Sequence, residues 1–247
     1  METSAIIELL SVTILMTLWL SLVAVSIVLL FKKINRSEEK EKKPYVYLFV
    51  GFIIIFLGDL LHTIGSDINI ANPENSGIVG LLGGTFEIHT FTLFFDGLAF
   101  IIFYIMWHFF IIYRYQEGEL KRYDKVVLTL STLSIIFILA SPYIESSIVD
   151  YEVAWFSPHI ILFTIFGIMV VGKLMYETNK RKSEEEKEEK FLYLTSWGFV
   201  VSFLFFILTL VLLPINSAFG MMMIPKTFAY AFALITLNKG LVWKKND

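Results

Sequence analysis

The chain has 247 residues, 56% of them apolar and 17% charged, with a mean hydropathy of +0.70 and a net charge of −3. A charged share this far below the ~25% of soluble domains excludes a soluble fold carrying one anchor and points to a polytopic membrane protein. Cysteine is absent, which excludes disulfides, thiolate metal sites and cysteine nucleophiles.

A hydrocarbon core of ~30 Å takes roughly 20 helical residues, and seven apolar stretches come close to that length or exceed it. The first, 5–31, has no basic leader and is too long for a cleavable signal, so it is predicted to span. The second, 45–65, ends in GDLLHTIGS (58–66), where Asp59, His62, Thr63 and Ser66 fall at i, i+3, i+4 and i+7 on one helix face. A turn-rich loop, ANPENSG (71–77), follows.

The third stretch, 79–113, is longer than a span needs. It is expected to begin as a re-entrant or interfacial segment around GLLGG (80–84). Thr85, His89, Thr92 and Asp96 then fall at i, i+4, i+7 and i+11, again one face of a helix. His108, near the end of this stretch, reads as a packed structural residue. The fourth is 126–143. The fifth, 154–173, opens with His159 just after WFSP.

The charged run KSEEEKEEK (182–190) is predicted to be a solvated helical extension, with Glu186 and Lys190 spaced for an i,i+4 pair. The sixth stretch, 191–213, carries Thr195, Ser202 and Thr209. The seventh, 217–238, carries Lys226 and Tyr230 on one face. Single Ser and Thr residues in such helices commonly bond back to their own backbone.

The expected fold is an all-α, seven-transmembrane-helix bundle forming a single domain, 1–247. No connection is long enough to fold alone. The chain ends a few residues after the seventh span, so the expectation is that no output domain is attached. No internal repeat supports an inverted-repeat transporter.

Orientation follows from the basic residues. Of the 20 Lys and Arg, all but Lys226 fall in the connections after the first, third and fifth spans or at the C-terminal end. The positive-inside rule then places the N-terminus outside and the C-terminus in the cytoplasm of a multi-pass cell-membrane protein.

Ionisable groups inside spans are costly and mark functional positions. Counting up from the basic ends at 1.5 Å per residue puts Asp59 and His159 at ~21 Å, and Asp96 and Lys226 at ~27 Å. His62 and His89 lie farther out. Two carboxyls, a lysine and a histidine in one layer either neutralise one another as a network that fixes helix packing, or line an outer-half cavity for a small amphiphile or acid. In the second case Lys226 anchors a carboxylate, Tyr230 shares its hydrogen bonds, and Asp59 with His62 reports occupancy or pH. His89, Asp96 and His159 complete the candidate ligand-binding set.

GDLLHT (58–63) resembles the Asp-Leu-Leu-His-Thr motif of membrane-associated sensor domains in bacterial and archaeal signalling proteins. The resemblance covers about 20 residues and implies sensing roles for Asp59, His62 and Thr63, with the signal passed to a separate cytoplasmic partner. Seven spans with a lysine in the last also resemble the microbial rhodopsins. That likeness implies retinal on a Lys226 Schiff base with Asp96 as counterion or proton carrier. The sequence departs from it at Thr85, where a carboxylate is usual, at Met222, four residues before the lysine, and at Pro225. The sixth span also lacks the usual Trp/Tyr/Pro set.

A third alternative is a zinc-dependent intramembrane hydrolase using Asp59, His62, His89 and His159, which are enough N/O ligands on paper. No HExxH or GxSxG motif accompanies them. The expectation is a non-enzymatic sensor in contact with lipid and a small ligand, and not with nucleic acid.

Overall fold

The computed structural model describes residues 3–71, 78–81, 84–145, 158–182, 187–212, 215 and 223–242. Among them are seven helices: α1 (Thr3–Arg36), α2 (Glu39–Ala71), α3 (Ile88–Tyr115), α4 (Arg122–Glu145), α5 (Pro158–Arg181), α6 (Lys187–Leu212) and α7 (Met223–Val242). The first six each contain a stretch long and apolar enough to cross a membrane, the architecture of a multi-pass membrane protein. A short antiparallel hairpin, β1 (Ile78–Leu81) and β2 (Gly84–Glu87), precedes α3 and pairs from Ile78↔Glu87 to Leu81↔Gly84.

That hairpin corrects the reading of the third stretch. Gly80, Gly83 and Gly84 fall close together, and glycine in a helix interior costs about 1 kcal/mol relative to alanine. The helix therefore starts at Ile88, and Thr85 lies in β2 rather than on a helical face with His89, Thr92 and Asp96.

Helix ends at the basic side are set locally. Gly118 N donates to Ile112 O at 3.2 Å, with Glu117 and Gly118 at φ 55° and 89°, a left-handed stop for α3. Lys121 N then donates to Asp124 Oδ2 at 2.9 Å, so Asp124 reaches back to cap α4.

The helices form a closed ring. Each packs on its chain neighbour, α1 also packs on α7, and α3 reaches α5 across the bundle. Tyr104 and Trp107 of α3 are buried against Phe199 of α6, with ring centroids 5.9 and 5.3 Å away. Isoleucine, leucine and phenylalanine remain exposed around the outside, among them Ile136, Ile161, Leu204 and Phe228, as a lipid-facing surface requires.

Small residues bring two helix pairs into close contact. A Cβ on Gly58 would stand 2.4 Å from the Cβ of Ala99. One on Gly198 would stand 2.8 Å from the Cβ of Ala233 and 2.9 Å from the backbone of Ala229 and Ala233. Backbone cannot yield as a flexible side chain does, so Gly198→Val should force α6 from α7 and cost about 1–3 kcal/mol. Thermal unfolding in detergent checks this, and an unchanged midpoint would count against the close α6–α7 contact.

Candidate functional site

The helices bring buried polar groups together at two levels. The first lies in the half of the bundle away from the basic loops. Asp59 of α2 is 3% exposed, and its Oδ2 accepts a 2.7 Å hydrogen bond from Trp19 Nε1 of α1. Its carboxyl lies close enough to that of Asp96 on α3 for the two to interact electrostatically. Close approach of Gly58 to Ala99 and to the Phe95 and Asp96 backbone makes this possible. Asp96 Oδ1 is buried without a hydrogen-bond partner among the described residues. His62, nearly one turn beyond Asp59, lies within electrostatic reach of Asp96.

Lys226 of α7 interacts electrostatically with both carboxyls but makes no ion pair within 4.0 Å among the described residues. Its Nζ lies 4.9 Å from the ring centre of Phe206 and 5.8 Å from that of Phe100. Aromatic faces attract a cation at such distances. Tyr230, one turn further along α7, bonds Tyr104 of α3 (2.6 Å between hydroxyls) instead of sharing the lysine's hydrogen bonds. It also meets the Trp19 ring edge-on at 5.6 Å.

Asp59, Asp96, His62, Lys226 and Tyr230 therefore lie together. His159 lies at the start of α5. Its carbonyl accepts from Ser134 Oγ at 2.9 Å, on the α4–α5 side of the bundle. The side chains of Ser66, His89 and Thr92 lie outside the described residues. Thr63 donates to the Asp59 carbonyl at 2.7 Å, the back-bonding expected of a helical threonine. No group of three or more His, Asp or Glu able to hold a metal ion occurs among the described residues.

Trp19 and Tyr104 complete this level, and sequence reasoning did not find them. An aromatic residue in an apolar span has no periodic mark that separates a hydrogen-bonding role from packing.

The second level lies at the basic end. Arg114, at the end of α3, donates from Nε and a terminal nitrogen to Glu189 Oε1 at 3.0 and 2.7 Å. It also donates to the Tyr45 hydroxyl at 2.5 Å and stands 3.1 Å from Glu188 Oε1. Lys33 of α1 pairs with Glu188 Oε2 at 2.8 Å, and the Tyr115 hydroxyl donates to Glu189 Oε2 at 2.7 Å. Four helices are thus tied at one knot.

This corrects the reading of the 182–190 run as solvated surface at two positions, since Glu189 is 5% exposed and Glu188 is largely covered. The cause is helix polarity. Glu188 and Glu189 sit in the first turn of α6, while Lys33 and Arg114 sit in the last turns of α1 and α3, each where the helix dipole favours that sign. Glu186, the expected partner of Lys190, lies outside the described residues.

Beside this knot, Asp124 bridges His108 (3.2 Å to Nε2) and Lys173, all within the bundle. With its amide turned to suit these neighbours, Gln116 donates to Asp124 Oδ2 at 3.3 Å and accepts from Lys173 Nζ at 2.6 Å.

Rings link the two levels. Tyr230 meets Phe199 (5.6 Å between centroids), Phe199 meets Trp107 (5.3 Å), Trp107 meets Phe110 (5.5 Å), and Phe110 meets Tyr45 (6.1 Å). Tyr45 is itself part of the ion-pair knot. Compared with protein-family models, curated proteins and solved structures, the chain matches none.

Proposed function

We propose that this chain is a seven-span sensor of the cell membrane, with its N-terminus outside and its C-terminus in the cytoplasm. Its buried Asp59/Asp96/Lys226 site takes up a proton or a small acid and reports the event at the basic end to a separate cytoplasmic partner. The observation that carries this reading is the grouping of two buried carboxyls within electrostatic reach of each other and of a lysine that neither of them pairs with closely. Two ionised carboxylates within electrostatic reach repel strongly in a poorly polarisable interior, which favours one proton held between the pair. Lys226 balances the remaining charge. Adding a proton or an anion changes the net charge of the site, and a buried net charge is costly enough to shift a helix packing equilibrium.

The ring series from Tyr230 to Tyr45 supplies a contiguous route to the ion-pair knot. It supports coupling by spatial continuity. The resemblance of GDLLHT to sensor-domain sequences points the same way.

The seventh span is α7. Phe228, Phe232 and Ile235 are exposed on its outer face while Tyr230, Ala233, Leu234 and Leu237 are buried, the division of a helix between lipid and bundle. The native chain has no cysteine, so single-cysteine labelling is clean. Glu119→Cys, in the α3–α4 connection, should react only after permeabilisation, and Ile215→Cys from outside. The reverse pattern would place the sensing site in the inner half and overturn the outward-facing reading.

The shared proton has a direct readout. Infrared spectra of the wild type at neutral pH should contain the carbonyl band of a protonated, buried carboxyl. Asp96→Asn should remove or shift that band, and Asp59→Asn should do the same. A wild type without the band would sink the proton-sharing site.

Retinal binding is a second reading, favoured by the same loosely held Lys226 amine beside two carboxyls. Addition of retinal to purified protein decides it, since a Schiff base gives visible absorbance and a sensor of protons or acids remains colourless.

A further inference from the structure

A crevice of about 370 Å³ opens between α1 and α2 at the basic end, well away from the Asp59/Asp96/Lys226 site. Ile27, Val28 and Phe31 of α1 and Phe49 of α2 give it apolar walls, and Lys32 and Arg36 line it as well. Phe31 and Phe49 face each other across the two helices with ring centres 6.1 Å apart. Val28 and Phe31 are about half exposed, so the crevice opens outward, to the lipid side of the bundle.

Val28, Lys32 and Arg36 follow one another at i, i+4 and i+8 along a single ridge of α1. The ridge passes from apolar to basic over the last turns of the Met16–Arg36 span, where a spanning helix leaves the hydrocarbon for the headgroup layer. Lys32 and Arg36 repel each other as like charges one turn apart. Neither side chain makes an ion pair, hydrogen bond or ring contact with a described residue, in contrast to Lys33 between them, which is held by Glu188. Two unpaired cations above an apolar crevice match a phosphate above an acyl chain.

We propose that this crevice binds one anionic phospholipid, its chain against Ile27, Val28, Phe31 and Phe49 and its phosphate between Lys32 and Arg36. The lipid relieves the repulsion between the two cations. It also covers the α1–α2 seam close to the knot in which Lys33 and Tyr45, from the same two helices, hold Glu188. Zwitterionic lipids fill the crevice less well, because their own cationic group competes with Lys32 and Arg36 for the phosphate.

Native mass spectrometry of the intact chain in detergent, with phosphatidylglycerol and phosphatidylcholine added in equal amounts, tests this. The wild type should retain one phosphatidylglycerol with roughly thirtyfold preference, about fivefold from each basic residue. K32Q/R36Q should bring the two lipids near parity. V28W keeps both charges and fills the crevice, so it should lose the bound lipid as well. R122Q/K125Q removes two exposed charges at the start of α4, at the same end of the bundle, and should retain phosphatidylglycerol like the wild type. All the substituted side chains are exposed, and a monodisperse, fully helical preparation confirms that each variant folds. The proposal is overturned by parity in the wild type or by undiminished retention in K32Q/R36Q or V28W. An equal loss in R122Q/K125Q also overturns it, since that result marks diffuse attraction to the basic end.

Discussion

Arg114→Met is expected to destabilise the bundle by about 3–5 kcal/mol, the range for removing one partner from a buried ionic group. Arg114 is the hub of the basic-end knot. Without it, among the described residues Glu189 keeps the Tyr115 hydroxyl, and Glu188 keeps Lys33 and Tyr45. Methionine preserves much of the packing stem, so the loss isolates charge rather than volume. Glu189→Gln should cost less, about 1–2 kcal/mol, because Arg114 then retains Glu188 and the amide still accepts one hydrogen bond. Thermal or denaturant unfolding in a fixed detergent ranks the two. A change within about 0.5 kcal/mol for Arg114→Met, the scale of ordinary surface substitutions, would mean that the ends of α1, α2, α3 and α6 are not held together by this knot. Hydrogen exchange adds a spatial check, since opening should rise first at the start of α6 and the end of α3.

Lys226→Met is expected to have the larger effect on function and the smaller one on stability. The lysine makes no close ion pair with a described residue, and methionine packs well against Phe100 and Phe206. The carboxyl pair nevertheless loses its counter-charge. A pair left with one negative charge and no cation in a lipid-surrounded bundle relieves that cost by taking a second proton. The infrared band of protonated carboxyl should therefore grow in Lys226→Met, where it shrinks or shifts in Asp96→Asn. Affinity for an anionic ligand should fall by more than about tenfold, since its only cation at this level of the described bundle is gone. In the retinal reading the chromophore is lost outright. If the variant matches the wild type in protonated-carboxyl signal, ligand affinity and absorbance alike, Lys226 is not part of the site.

What the sequence by itself determined follows from free energies that act residue by residue. The cost of placing a charge in hydrocarbon set six of the helices and gathered every basic residue but Lys226 at one end. The 3.6-residue period placed Asp59 and His62 on one face, and counting along the helices put Asp59, Asp96 and Lys226 in the same half of the bundle. The tertiary structure alone decided which groups meet. Helix rotation and neighbour identity depend on close packing of many side chains, such as Gly58 on Ala99 and Gly198 on Ala233, and no local pattern encodes them. Packing made Trp19 the donor to Asp59 and tied Tyr230 to Tyr104 instead of to Lys226. It bonded the His159 carbonyl to Ser134 of α4. Packing also turned Glu188 and Glu189, charged residues in a charged run, inward, because the dipoles of α1, α3 and α6 converge there with Arg114 between them.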